Sequence, residues 1–195
     1  AGQGTDHVIA DSSYTLSSNV ENLTLIGSGN FTAGGNSLDN HLTGNSGNNL
    51  LAGGLGADIL EGGQGDDIYV LSDSMDIIID TGGEDTIRSN LDITLINDIE
   101  NADLVGIADT TAIGNGLDNK LFGNMADNIL DGAGGVDILT GGQGADTFVI
   151  SNNGDGIAAD TITDFNSGED LIVVDLASFG IDPEALGLLS SGLVS

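Results

Sequence analysis

A nine-residue phrase recurs in register along this chain, and nine is not a helical period. From Gly35 it reads GNSLDNHLT, GNSGNNLLA, GGLGADILE and GGQGDDIYV, and from Gly114 it reads GNGLDNKLF, GNMADNILD, GAGGVDILT and GGQGADTFV. The sixth position holds Asn40, Asn49, Asp58 and Asp67, then Asn119, Asn128, Asp137 and Asp146. The eighth holds Leu42, Leu51, Leu60 and Tyr69, then Leu121, Leu130, Leu139 and Phe148. Six residues of Gly, Asn and Asp make a turn, and three residues around one large apolar side chain make a short strand. One such unit cannot bury its apolar side chain alone. Stacked units join these side chains into a continuous row, which is how a solenoid is built. Two strand-turn units bring the chain back to its starting side, so turn n is expected beside turn n+2.

The short period sits inside a long one. Residues 4–72 overlay residues 83–151 without a gap, with nearly half the positions identical. YTLSSNVENLTLIG (14–27) matches ITLINDIENADLVG (93–106) ahead of the repeats in each copy. The nine-residue register also runs past the obvious repeats, with Asp76 and Asp85 continuing the acidic series and Ile78 and Ile87 the apolar one. In the second copy Asp155 keeps step before the phase breaks ahead of ADTITDF. The opening residues fall partway through a unit, which leads us to expect an excerpt of a longer array.

Stacked turns ending in aspartate bring like charges together, at a cost on the order of 1 to 4 kcal/mol per pair. The chain as a whole carries Lys+Arg 2 against Asp+Glu 31, a formal net charge of −29. Such a chain is repelled by nucleic acid and by anionic membrane surfaces, so neither is expected as a partner. A cation between turns would relieve the repulsion. Glycine lets carbonyl oxygens point inward, and carbonyl plus carboxylate oxygens suit a hard cation. Flexible loops offering many oxygens suit calcium better than magnesium.

Other chemistries find little support. Cys 0 removes disulfides, thiolate metal sites and a cysteine nucleophile. Neither His7 nor His41 has the spacing of a metal ligand or a triad member, and both read as surface residues. Carboxylate pairs for glycoside chemistry could be drawn from the 31 acids almost at will, so they carry no information. No apolar run approaches the ~20 residues that span a bilayer. The opening AGQGTDHVIA shows no basic region followed by an apolar stretch, so no signal peptide is expected there.

The phrase G-G-x-G-x-D-x-U-x resembles the calcium-binding nonapeptide of RTX proteins. GGLGADILE, GGQGDDIYV and GGQGADTFV fit it fully, and GAGGVDILT fits apart from its second glycine. The VENLTL segment resembles the spacer between rolls in large RTX proteins, and ADTITDFNSGEDLIVVD (159–175) resembles the segment that closes many RTX regions. The resemblance implies an all-β fold, a right-handed parallel β-roll stapled by calcium, with two rolls in tandem. The expected division is partial spacer strands over 1–34, a first roll over 35–88, spacer strands over 89–113, a second roll over 114–165 and a cap over 166–195.

The same resemblance implies the ligands. Asp58, Asp67, Asp137 and Asp146 would give carboxylates. Carbonyls of Gly53, Leu55, Gly62, Gln64, Gly132, Gly134, Gly141 and Gln143 would complete the cages, beside the fourth-position glycines Gly56, Gly65 and Gly144. Pairing n with n+2 groups Asp58 with Asn40 and Asp76, and Asp67 with Asn49 and Asp85. It also groups Asp137 with Asn119 and Asp155, and Asp146 with Asn128 and Asp160, for roughly six to eight ions. Asn40, Asn49, Asn119 and Asn128 offer a neutral oxygen, so their sites are expected to be weak or empty, or these residues to serve only the turns. Asp73 and Asp76 lie in LSDSMDIII, which lacks the glycines, and would act through side chains. Leu38, Leu117 and Ala126 stand where the fourth glycine belongs. Asp164, Glu169 and Asp170 read either as ligands or as a solvated acidic turn.

The implied function is a non-enzymatic calcium-binding module of a secreted bacterial protein that folds on calcium outside the cell. Its implied partners are calcium and type I secretion machinery, with neighbouring RTX units or extracellular polysaccharide as further ones. Two alternatives stay open: an accessory module of a polysaccharide lyase or epimerase, and a spacer in a surface adhesin. The chain shows no aromatic platform for sugar.

Overall fold

The computed structural model describes residues 4–151 and 160–182, and within them the chain forms parallel strands and no helix. Asp155 and the stretch from Pro183 onward lie outside the described residues. One side of the coil carries β1 (His7–Ala10), β3 (Asn22–Leu25), β5 (His41–Thr43), β7 (Ile59–Glu61) and β9 (Ile77–Ile79) as one sheet. Farther along the chain, β11 (Ile93–Thr94), β13 (Thr111–Ile113), β15 (Ile129–Asp131), β17 (Thr147–Ile150) and β19 (Leu171–Val174) form a second five-stranded sheet. The intervening strands β2 (Tyr14–Thr15), β4 (Thr32–Gly34), β6 (Leu50–Ala52), β8 (Ile68–Leu71), β10 (Thr86–Ser89), β12 (Asn101–Leu104), β14 (Lys120–Phe122), β16 (Ile138–Thr140) and β18 (Thr161–Ile162) make one unbroken sheet. Apart from β9, every described strand up to β17 therefore pairs with the strand two places on, as the turn arithmetic requires. The all-β parallel solenoid expected from the repeats is the fold observed.

The eighth position supplies the core. Only the middle residue of a three-residue strand points inward, because side chains alternate across a strand. Leu42 registers on Leu60 and Ile78, while Leu51, Tyr69 and Ile87 form the facing row. Leu42, Leu51, Leu60, Tyr69, Leu121, Leu130, Leu139 and Phe148 are all fully buried. Their outward neighbours, such as Ile59, stay partly exposed. A row one side chain wide is a thin core, so the turns must contribute much of what holds neighbouring coils together.

The spacers belong to the same coil. Strand β10 pairs with β8 on one side and β12 on the other, so the long sheet crosses 89–113 without a break. Only the opposite side is interrupted, between β9 and β11. The spacers differ in register: Thr86 faces Asn101 and Asn101 faces Lys120, against Ile68 facing Thr86 within the repeats. They also bury more, including Leu95, Ile99 and Leu104, and their counterparts Leu16 and Leu25 in the first copy. The tandem rolls are thus joined through a shared sheet rather than a linker. Strand β1 corresponds to β10, so the long repeat advances the chain by nine strands, an odd number. Strand β5 in the first copy corresponds to β14 in the second, so Leu42 lines a five-stranded sheet whereas its counterpart Leu121 lines the long one.

Two kinds of turn connect the strands. In the glycine turns the second and fourth positions take left-handed backbone, as at Gly54 (φ 100) and Gly56 (φ 121). Ala133 holds the second position of its turn and is forced to φ 65, a conformation that costs a side chain of order 1 kcal/mol or more. The asparagine turns at 35–40, 44–49, 114–119 and 123–128 need no such backbone, which is why Leu38, Leu117 and Ala126 are accommodated.

Chemical denaturation of the folded chain is expected to show Leu60→Ala destabilised by about 2–5 kcal/mol. Ile107→Ala, at a side chain 83% exposed, should fall within about 0.5 kcal/mol of the parent. Ala133→Gly should gain about 1 kcal/mol by relieving the left-handed alanine.

Candidate metal centre

The sixth-position side chains form two ladders, one along each edge of the coil. Each aspartate gives one oxygen to a backbone N–H of the coil before it. Asn40 N–H donates to Asp58 Oδ1 at 2.7 Å, and Asp58 N–H donates to Asp76 Oδ1 at 3.1 Å. On the other edge Asn49 N–H donates to Asp67 Oδ1 and Asp67 N–H donates to Asp85 Oδ1, both at 2.6 Å. The second copy repeats this with Asn119 N–H to Asp137 and Asn128 N–H to Asp146, both at 2.8 Å. The groupings of Asp58 and Asp67 expected from the repeat spacing are therefore brought together in space.

The end of the second roll departs from the expected pairing. Asp160 accepts from Asp137 N–H at 3.1 Å, not from Asp146. Asp146 N–H donates instead to Asp170 Oδ1 at 3.0 Å. The cause is chain length: Ile138 registers on Thr161 and Thr147 on Leu171, so the last coil is longer than the 18-residue coils before it. The spacer acids occupy the same ladders. Asp85 N–H donates to Glu100 and Asp6 N–H to Glu21, each at 2.8 Å. Their signal was present in the aligned VEN and IEN of the two copies, where a glutamate reaches across a shorter coil.

What remains open on these aspartates is their second oxygen. Asp58, Asp67 and Asp85 are at most 1% exposed, yet Oδ2 of each is buried without a hydrogen-bond partner, as is Oδ2 of the half-buried Asp76. A cation fits this arrangement, because an unpaired buried carboxylate oxygen carries a large desolvation cost. Glycine at the first position makes the room. A Cβ built on Gly53, Gly62, Gly132 or Gly141 would collide with the aspartate of the same turn. Burial raises Asp58 and Asp67 to about 6 and Asp85 to about 7, with nearby acids adding to the shift. Asp76 and Asp146 are raised by the same cause. Asp73 is half-buried and accepts from Met75 N–H at 2.9 Å, closing its own turn.

The asparagines meet a different environment. Asn40 Oδ1 accepts Asn36 N–H at 2.7 Å, while its Nδ2 donates to the Val20 and Glu21 carbonyls at 3.0 and 3.2 Å. Asn119 does the same with Asn115 N–H at 2.8 Å and the Glu100 carbonyl at 3.0 Å. Asn49 and Asn128 likewise accept from Asn45 and Asn124 N–H at 2.7 Å. The second-position asparagines add a further lock, Asn36 Nδ2 reaching Val20 O at 2.8 Å and Asn115 Nδ2 reaching Ile99 O at 2.7 Å. An amide N–H₂ thus stands where these turns face the spacer.

A second ladder runs outside the first and was not anticipated. Fifth-position side chains accept N–H groups from the next coil: Asp66 N–H to Asn48 and Glu84 N–H to Asp66, at 3.1 and 3.0 Å. Asp127 receives Ala145 N–H and Asp118 receives Val136 N–H, both at 2.8 Å. A mixture of Asn, Asp and Glu at an exposed position looks like solvated surface in sequence, which hid its role.

A family model described as the RTX calcium-binding nonapeptide repeat, in four copies, matches residues 34–69 and 113–148. No curated protein matches the chain, and no solved structure does.

The raised aspartates set a pH dependence in the absence of metal. Their folded values of about 6 to 7 lie above the ordinary 3.8, so the folded chain holds protons that the unfolded chain releases. Stability from this source is fully present below pH ~4 and is lost as pH rises through about 6 to 7. Circular dichroism in chelator should therefore show more strand, and a higher melting temperature, at pH ~5 than at pH ~8.

Proposed function

We propose, for a chain that belongs to the RTX calcium-binding repeat proteins by its repeats and its parallel β-solenoid, that calcium between stacked glycine turns completes its folding outside the cell. The repeats make the chain a calcium-binding module, structural rather than catalytic. The observation that carries the proposal is the series of buried carboxylate oxygens left without a protein partner at Asp58, Asp67, Asp76 and Asp85. Asp137, Asp146, Asp160 and Asp170 would hold the corresponding ions in the second roll, with the first- and third-position carbonyls of the glycine turns completing each shell. Calcium, when bound, supplies the positive charge that these stacked acids lack.

Charge then acts as a switch on folding. A chain at −29 repels itself when calcium is scarce, and extracellular modules of this kind bind at ~10⁻⁴–10⁻³ M. This suits a protein that stays extended during export by a type I channel and folds in the medium. The asparagine turns serve as the metal-free start of each roll, because their amides already bond to the spacer coils. That reading also supports a rigid spacer role in a larger surface or polysaccharide-active protein, to which this segment would lend calcium-dependent stiffness.

The test is calcium titration at pH ~8, followed by circular dichroism and calorimetry. Strand signal should appear with calcium and vanish in chelator; strand that forms equally in both would overturn the proposal. Asp58→Ala should remove at least one ion from the stoichiometry. Asn40→Ala should leave the stoichiometry unchanged while lowering stability by about 1–3 kcal/mol through its lost hydrogen bonds.

A further inference from the structure

One place in the first roll breaks the repeat pattern in a way that adds charge. Asp80 stands 18 residues after Gly62, where the repeat has its first glycine. A carboxylate oxygen of Asp67, one of Asp80 and one of Asp85 all lie within 4.8 Å of one another. Asp67 and Asp85 are 1% and 0% exposed, and Oδ2 of each is buried without a hydrogen-bond partner. Asp80 is held in place from two directions. Its Oδ1 accepts the Tyr69 hydroxyl and its Oδ2 accepts Gly82 N–H, both at 2.7 Å. The Tyr69 oxygen in turn accepts Gly62 N–H at 3.1 Å, so the phenol is fixed between this carboxylate and the glycine turn.

The second copy lacks the phenol of this device but keeps a carboxylate. The residue aligned with Tyr69 is Phe148, without a hydroxyl, whereas the place of Asp80 opposite the first glycine of a turn is held by Asp164, which accepts Gly141 and Gly142 N–H at 2.9 and 2.8 Å. Of the two rolls, only the first therefore holds this carboxylate with a phenol. Asp80 and Asp85 also lie beyond the stretch matched by the repeat family, which ends at residue 69.

We propose that Asp67, Asp80 and Asp85 form a three-carboxylate site for a single hard cation, tied to Tyr69 and filled before the two-aspartate sites of the repeats. The inference rests on the calcium reading of the rolls and extends it with a ligand that the repeat does not prescribe. Three negative charges around one ion favour it over neighbouring pairs, and favour a trivalent lanthanide still more strongly than calcium. The site lies where the first roll gives way to the spacer, so its occupancy would fix β8 against β10 at that junction.

Terbium is the probe, because a nearby phenol sensitises its emission and the chain contains no tryptophan, with Tyr14 and Tyr69 as its two tyrosines. The chelator-stripped full chain is titrated with Tb³⁺ under tyrosine excitation, and Ca²⁺ affinity is read by competition. Sensitised emission should saturate within the first equivalent, persist in Tyr14→Phe and disappear in Tyr69→Phe, whose packing follows that of Phe148. Asp80→Asn and Asp80→Gly should weaken the first ion at least tenfold and leave later ions in place. Asp80→Gly restores the repeat's own glycine and so keeps the turn foldable. A first ion bound as tightly by Asp80→Gly as by the parent would overturn the inference, as would emission that rises only after later equivalents. A parent chain that takes up neither Tb³⁺ nor Ca²⁺ would instead overturn the calcium reading itself.

Discussion

Buried carboxylates that face one another across successive coils are the constraint from which the rest of this structure follows. Within the repeats the core is two facing rows, each one side chain wide and mostly leucine, with Tyr69 and Phe148 in the last repeat of each copy, too narrow to dominate folding as a broad interior would. The edges must therefore bind as well as turn. Each aspartate there uses one oxygen to hold the neighbouring backbone and leaves the other facing a pocket that only glycine keeps open. Repulsion and cohesion come from the same side chain, and the balance between them is set by what occupies that pocket.

Two solutions to the same geometric problem follow one another along each roll, two asparagine turns and then two glycine turns. Glycine turns use left-handed backbone and a buried carboxylate. Asparagine turns use ordinary backbone and an amide, whose N–H₂ bonds the carbonyls of the adjoining spacer coil. The difference between Asp and Asn is one heavy atom, yet it decides whether a turn buries an acceptor-only carboxylate or an amide that donates to the adjoining coil. Each roll accordingly begins with turns whose amides are bonded within the protein and continues into turns with buried carboxylates.

The coil, the pairing of alternate strands and the leucine rows were legible in sequence because the period never drifts between Gly35 and Val70 or between Gly114 and Val149. The first-roll partners of Asp58 and Asp67 could be counted for the same reason. Counting failed where the coil changes length: the extra residues before Thr161 and Leu171 moved Asp160 to Asp137 and brought Asp170 to Asp146. The spacers, which read as separators, share the long sheet because an altered register still permits parallel pairing. Asp80 was hidden by its own departure from the repeat, and the fifth-position ladder by the ordinary look of polar residues at an exposed site.

The advance of nine strands from one copy to the next has a consequence for anything that touches the molecule from outside. An even count would stack like flanks in line, whereas nine strands rotate the second copy by half a coil about the common axis. The flank shown by the strand of Lys120 thus continues the one shown by Val70 rather than the one shown by its sequence counterpart His41. Tandem duplication of this unit produces a rod with dyad-like alternation. A binding patch that evolved on one copy would reappear, after duplication, on the opposite side of the rod.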